Sequence, residues 1–255
     1  MTDSDRPRID FNCDLGEGCG DDAAILPNVS SANIACGGHA GDEATMRATL
    51  RLCRQHGVAI GAHPGYEDRA HFGRRVLPLD RDEIGMLILS QLARLAAIAD
   101  DEGLRLSHVK PHGALYNLAA DDRIVAEAIV GSVAAFDPTL SVFGLSGSEL
   151  TAAADAAGLH AVHEVFAERG YAANGRLLPR GTPGAVLETL DEAIAQVHGL
   201  ATRGEVVCAD GSVLRLRADT LCLHGDRADA PQFARAVRAA LEADGVRILA
   251  VDRDA

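Results

Sequence analysis

Val58-Ala-Ile-Gly-Ala-His63-Pro-Gly65 is a short apolar run that stops at a histidine and turns on glycine. Three other runs end alike: Ala32-Asn-Ile-Ala-Cys-Gly-Gly-His39-Ala-Gly41, Leu106-Ser-His-Val-Lys110-Pro-His112-Gly113 and Thr220-Leu-Cys-Leu-His224-Gly225. A fifth, Ile9-Asp-Phe-Asn-Cys-Asp14-Leu-Gly16, puts a carboxylate where the others put an imidazole. Buried strands that halt at a polar residue and then turn are how parallel α/β folds build an active rim. One such ending means little; five imply a shared pocket.

Around these runs the periodicity alternates between strand and helix. Strands are expected at Arg8–Cys13, Ala32–Cys36, Val58–Ala62, Leu106–Lys110, Leu140–Leu145, His160–Phe166, Thr220–Leu223 and Val246–Val251. Helices are expected near Glu43–His56, Arg81–Glu102, Asp122–Ala135, Gly147–Ala157, Pro183–Leu200 and Pro231–Ala243. The stretch from Glu83 to Leu95 has apolar positions at helical spacing and is the clearest of them. Repeated strand–helix–strand units imply a parallel sheet. Around Asp210-Gly211 two alternating runs instead read as a β-hairpin inserted before the seventh strand. Because polar strand ends are spread along the whole chain, a (β/α) barrel of seven or eight strands, incomplete or distorted, fits better than an open sheet. No linker or low-complexity segment divides the chain, so residues 1–255 read as one barrel domain.

The net charge of −13, from 24 basic and 37 acidic residues, argues against nucleic acid, which needs a basic stripe. A local positive pocket for an anionic small molecule is compatible with it. No signal peptide is visible in Met1–Arg8 and no apolar stretch is long enough to span a bilayer. Six cysteines occur without a C-x-x-C pair, which reads as reduced, packed thiols in a cytoplasmic protein.

Asn12-Cys-Asp14-Leu-Gly16-Glu17-Gly-Cys-Gly20 brings two carboxylates and three glycines just past the first strand; alone it would be a solvated loop. His39, His63, His112 and His224 suit metal binding, proton transfer or hydrogen bonding, although no local metal motif such as H-E-x-x-H is present. His56, His71, His160, His163 and His198 lack the strand-end setting and read as structural or surface residues. Lys110 is the only lysine in the chain, beside 23 arginines, and lies in the dense polar group Lys110-Pro-His112-Gly-Ala-Leu-Tyr116-Asn117. Glu164 and Arg169 flank the end of the sixth strand, Arg180 follows, and Arg74 and Arg75 come after the third; such arginines clamp carboxylates or phosphates, or form surface salt bridges. There is no P-loop, Rossmann or serine-hydrolase motif.

In order along the chain, these blocks resemble the LamB/YcsF (lactam utilisation) family of 5-oxoprolinase A subunits. The likeness runs from about Ile9 to Ile248 and rests on Asn12-Cys-Asp14-Leu-Gly-Glu17-Gly, Ala32-Asn33-Ile-Ala-Cys36-Gly-Gly-His39-Ala-Gly-Asp42, Gly61-Ala-His63-Pro-Gly-Tyr66 and Phe72-Gly-Arg-Arg75. It continues through His108-Val-Lys110-Pro-His112-Gly-Ala-Leu-Tyr116-Asn117, Glu164-Val-Phe-Ala-Glu-Arg169 and Cys222-Leu-His224-Gly-Asp226. Gly38 and Cys19 stand where the family pattern has phenylalanine, and Glu43 where it has proline.

The resemblance implies a distorted, TIM-like (β/α) barrel of the glycoside hydrolase/deacetylase superfamily type. It implies a part in ATP-dependent opening of 5-oxo-L-proline to L-glutamate together with separate subunits B and C, which would use the ATP. Asp14, Glu17, Lys110, His112, His224 and Asp226 would then be catalytic, with Asp14 or Glu17 as general base and Lys110 and His112 facing the oxyanion. Asn12, Asn33, His39, His63, Tyr116, Asn117, Glu164 and Arg169 would bind substrate. By superfamily analogy a rival reading is a stand-alone metal-dependent amidase or deacetylase, with a divalent cation on Asp14, His63 and His112. A third is a non-catalytic ligand-binding subunit.

Overall fold

A computed structural model describes residues 6–251, so Met1–Asp5 of the leader reading and both ends of the 1–255 domain lie outside the described residues. The strands are β1 (Arg8–Leu15), β2 (Ser31–Ala35), β3 (Ala59–His63), β4 (His108–Val109), β5 (Ser141–Leu145), β6 (Ala161–Phe166), β7 (Glu205–Val207), β8 (Val213–Arg215), β9 (Thr220–His224) and β10 (Arg247–Ile248). The helices are α1 (Asp22–Ile25), α2 (Glu43–His56), α3 (Arg81–Asp101), α4 (Gly113–Asp121), α5 (Arg123–Phe136), α6 (Glu149–Ala156), α7 (Leu190–Arg203) and α8 (Ala230–Ala243).

Seven parallel strands, β1-β2-β3-β4-β5-β6-β9, close on themselves through the pairing of β9 with β1. The expected eighth strand, β10, is outside that ring: it pairs parallel with the first residues of β1, Arg8 and Ile9, leaving Asp10–Asp14 for β9. The inserted hairpin is present as the antiparallel pair β7–β8. No helix among the described residues is long and apolar enough to cross a membrane.

Local signals set the helix limits. α3 starts at a reciprocal cap between Asp80 and Glu83 and buries Ile84, Ile88, Leu92 and Leu95 along one stripe. α7 begins at Leu190, not at Pro183 as the sequence suggests. Gly184 takes a φ of +76° and Val186 bridges to Arg169, so the chain ahead of the Thr189–Glu192 cap is extended. α4, which the periodicity did not announce, starts directly at Gly113 beside His112.

The barrel interior departs from the usual aliphatic filling. Alternate residues of β1 split by face. Phe11, Cys13 and Leu15 join the apolar core, whereas Asp10, Asn12 and Asp14 bond to other strands across the barrel. The Asp10 carboxylate accepts from Ser31 at 2.6 Å and also from Thr220. Asn33 Nδ2 donates to Asn12 Oδ1 at 2.7 Å, and His108 Nε2 lies 2.8 Å from Asn33 Oδ1. The His108 ring stacks on Phe143 and lies across Gly61, where a Cβ would sit 2.2 Å from the imidazole. The barrel is therefore sewn together internally by polar groups, each satisfied by one on another strand.

Candidate active site

At the C-terminal end of the ring, Lys110 is the central charge. Lys110 is 2% exposed, and its ammonium lies 2.8 Å from Asp14 Oδ1 and 2.9 Å from Glu164 Oε1. Asn12 Oδ1 at 3.3 Å and Cys222 Sγ at 3.0 Å complete its surroundings. Glu164 is fully buried and also accepts from Asn12 Nδ2 at 3.0 Å and from the Tyr116 hydroxyl at 2.6 Å. Burial alone would raise the Asp14 carboxyl. His63 and Lys110 beside it more than reverse that and hold it well below the usual carboxylate range. Burial likewise opposes the Lys110 charge, but Asp14, Cys222 and Glu164 keep the ammonium well above its ordinary value.

Above this ion group lies a cluster of imidazoles. His63 Nδ1 is 2.7 Å from the Lys110 carbonyl, and its Nε2 faces His112 Nδ1 at 3.0 Å and Asp14 Oδ2 at 3.4 Å. His112 Nε2 is 2.9 Å from the Phe72 carbonyl. That carbonyl is aimed by a left-handed backbone at Phe72, with φ +56°, an uncommon state for a bulky residue and one often found at functional sites. The His39 and His112 rings stack in parallel with centroids 3.6 Å apart, and Gly73 must be glycine beside them because a Cβ would sit 2.7 Å from His39 Cβ. Glu17 Oε1 lies 3.3 Å from His39 Nε2 and 3.6 Å from His112 Nδ1. Glu17, His39, His63 and His112 each offer one ligand atom, all within 4.8 Å of one another, which makes them a possible metal-binding cluster. Burial and the neighbouring carboxylates of Asp14 and Asp226 push the Glu17 carboxyl well up. Burial and His63 push His39 down to about 2.

Beside the cluster opens a cavity of about 390 Å³, large enough for a small metabolite. Asp14, His63, Lys110, His112, Tyr116, Asn117, Arg169 and His224 line it. Asn12, Asn33 and Glu164 lie within the barrel and hold the lining side chains rather than facing the opening themselves. Asn117 is exposed on α4, with Nδ2 bonded to the Gly113 carbonyl. His224 pairs with Glu168 and stacks near Phe166, and Asp226 pairs with Arg74 across the mouth.

The far wall is basic. Arg169 is 4% exposed, and its Nε and Nη2 donate only to carbonyls, of Ala185 at 3.0 Å and Leu178 at 2.7 Å. Burial and the adjacent Arg180 charge both depress it. Arg180 is exposed and lines the same wall.

Two positions escaped the sequence reading. His108 forms part of the barrel interior, and the spacing His108, Lys110, His112 was the available signal, since alternate residues of a strand share a face. Glu168, the partner of His224, lies in the block Glu164–Arg169 but carries no pattern of its own.

Residues 9–254 match the model of the LamB/YcsF family. The chain belongs to the LamB/YcsF family. A Bordetella pertussis protein named as the A subunit of 5-oxoprolinase is 51% identical over 249 residues, covering 96% of this chain and 99% of that one. The crystal structure of a lactam utilization protein from Thermus thermophilus superposes with a TM-score of 0.90 at 44% identity, over 96% of this chain and 100% of that one. The T48 deacetylase solved with its substrate shares the fold only, at a TM-score of 0.53 and 11% identity over 99% of this chain and 92% of that one. The distorted parallel barrel expected from the sequence is thus the family's own architecture.

Proposed function

We propose that this chain is the lactam-opening subunit of an ATP-dependent 5-oxoprolinase, a hydrolase that converts 5-oxo-L-proline to L-glutamate. Subunits B and C are its partners in this reading and use the ATP, and the chain, residues 1–255, acts as one barrel domain. The observation that carries the reading is the buried Lys110 charge, fixed between Asp14 and Glu164 at a cavity whose far wall bears Arg169 and Arg180. A small anion with a second polar group fits such a space, and 5-oxoproline has a carboxylate at one end and a lactam carbonyl at the other. The Bordetella relative's name supports the same substrate.

An unstrained amide resists hydrolysis, so the carbonyl must be activated before water attacks. In the proposed reaction the partners phosphorylate the amide oxygen and this chain directs water onto the activated carbon. The adduct then breaks its C–N bond, the nitrogen leaving protonated as the amine, and a second water hydrolyses the resulting acyl phosphate to glutamate and phosphate. Asp14 or Glu17, both next to the His63–His112 pair, accepts the water's proton. Lys110 and His112 face the negative charge carried on the phosphorylated oxygen, while His63, His224 and Asp226 fix the geometry. Asn12, Asn33 and Tyr116 hold the charged groups in register from below, and Arg169 with Arg180 takes the substrate carboxylate. Asn117 completes the wall, His39 stacks behind it on His112, and a divalent cation suits the Glu–His cluster.

Reconstitution tests this reading. Glutamate release from 5-oxoproline and ATP is expected only when the chain is mixed with its B and C subunits. Hydrolysis of simple amides by the chain alone, without ATP, would replace it with the stand-alone amidase reading.

A further inference from the structure

A proton has to reach the lactam nitrogen as its bond to carbon breaks, because an amide anion leaves poorly near neutral pH. Three imidazoles line the cavity. His63 uses both ring nitrogens, on the Lys110 carbonyl at 2.7 Å and on His112 at 3.0 Å, and His112 uses its other one on the Phe72 carbonyl at 2.9 Å. His224 differs. Its Nδ1 is paired with Glu168, and its Nε2 has no protein partner among the described residues. The Lys110 ammonium is pinned between two carboxylates and the Tyr116 hydroxyl donates to Glu164, so neither is free to supply the proton.

Glu168 is placed to hold the His224 ring. It is 1% exposed and its Oε2 has no donor, so His224 is the single hydrogen-bond partner of a buried carboxylate. Buried carboxylates ordinarily find donors for both oxygens; one reserved for an imidazole fixes that ring's proton on Nδ1 and leaves Nε2 for the substrate. The backbone beneath is pinned as well. Gln196 Nε2 on α7 donates to the carbonyls of Phe166, Ala167 and Arg169 at 2.8, 3.3 and 3.0 Å, and Leu187 N donates to the Glu168 carbonyl at 2.8 Å. Phe166 stacks on the imidazole with centroids 5.6 Å apart. His224 is also the register partner of Asp14 on the neighbouring strand, and a Cβ at Gly225 would sit 2.6 Å from the Asp14 carbonyl. Register partners point to the same face, so a proton acceptor and a proton donor stand side by side on the cavity wall.

We propose that His224 Nε2 delivers the proton to the lactam nitrogen, and that Glu168 is the positioning residue that aims it. The inference rests on the ring-opening reading above and supplies its proton donor. As the adduct collapses, its hydroxyl proton passes to the base and the carbonyl re-forms. The C–N electron pair moves to nitrogen and the Nε2 proton joins it. His224 is left neutral, with Nδ1–H still on Glu168. The proton held by Asp14 or Glu17 is returned to Nε2 through solvent, so the wall ends as it began.

Glutamate release by the chain assembled with the proposed B and C subunits and supplied with ATP tests the pair. His224→Ala should lower kcat at least about 100-fold with KM for 5-oxoproline within about threefold, and added imidazole should restore part of the loss. Glu168→Gln keeps the volume and removes the charge. Its kcat should fall about tenfold or more, and the alkaline limb of its pH profile should move to lower pH, because a proton on His224 loses the anion facing it. The other charges around the pair stay in that variant: Asp14 and Asp226 beside the ring, Lys110, Arg74 and Arg180 behind them, and Arg169 and Arg227 near residue 168. A wild-type complex that releases no glutamate would remove the ring-opening reading and this inference with it. An active wild type whose His224→Ala complex keeps more than about a tenth of its kcat would overturn this inference alone. So would losses that imidazole does not repair together with an unmoved alkaline limb in Glu168→Gln, the pattern of a pair that only braces the fold.

Discussion

Lys110→Met keeps most of the side-chain volume and removes the ammonium. Two carboxylates, Asp14 at 2.8 Å and Glu164 at 2.9 Å, then face each other inside the barrel without their shared counter-charge. Neutral donors remain: Asn33 on Asp14 at 2.9 Å, and Asn12 and Tyr116 on Glu164 at 3.0 and 2.6 Å. Removing one partner of a buried ion pair costs about 3–5 kcal/mol, and because one cation serves two anions here the upper half of that range is expected. For a chain of this size that is a drop in Tm of roughly 10 °C or more. The pH dependence has a definite sign. In the wild type the Asp14 carboxyl is held low when folded, so its stabilisation is present above the unfolded value of about 3.9 and falls away only as pH drops through the lower folded value. Wild-type stability from this source is therefore flat between pH 8 and 5. In the variant the uncompensated carboxylates have raised folded values, so stability is present at low pH and lost as pH rises. Urea unfolding followed by circular dichroism at pH 5, 6.5 and 8 should show a gap between the two proteins that widens with pH. Adding Asp14→Asn to Lys110→Met should recover part of the loss. A cost below about 1 kcal/mol at pH 8, or a gap independent of pH, would refute the view that Lys110 neutralises two buried acids.

Other consequences follow from the same contacts. Gly61→Ala drives a Cβ to within 2.2 Å of the His108 ring, and thermal melts should show destabilisation of at least about 1–3 kcal/mol from overpacking. Asp80→Ala removes the cap that receives Glu83 N at 2.9 Å and should cost about 0.5–2 kcal/mol in urea unfolding, with activity unchanged. Arg180→Ala should raise KM for 5-oxoproline about tenfold, a loss of about 1.4 kcal/mol, with kcat little altered, because in the proposed reading this cavity-lining guanidinium holds the part of the substrate that does not react.

The barrel was readable because its strands are short, buried and end in the same way. Polar stops at Asp14, His63, His112 and His224 mark one rim whatever the helices do. Helix limits were less legible where turn chemistry competes with periodicity. Pro183 looks like a helix start, yet the Thr189–Glu192 cap decides it, and α4 is masked by the Lys110–Gly113 turn from which it springs. Within the site, the family blocks named side chains that the fold brings together, but not their pairings. Glu17 joins His39 and His112 because the loop after β1 folds back over the rim, a contact between residues 22 and 95 positions apart in the chain. Asp14, a metal ligand in the amidase reading, is instead engaged through Oδ1 by Lys110 and Asn33 and presents only Oδ2 to His63. The shared face of His108, Lys110 and His112, at and just past β4, could have been read from their spacing alone. Its meaning depends on Asn33, Glu164 and Asp14 arriving from other strands, and sequence spacing does not carry that information.

The most direct test is glutamate release from 5-oxoproline and ATP by the complex of this chain with the proposed B and C subunits, with Asp14→Asn in place of the native residue. Loss of at least about 100-fold in glutamate formation, with the three subunits still co-eluting, is the predicted result. Unchanged release from that assembled variant would contradict the claim that the ring opens in this chain's pocket.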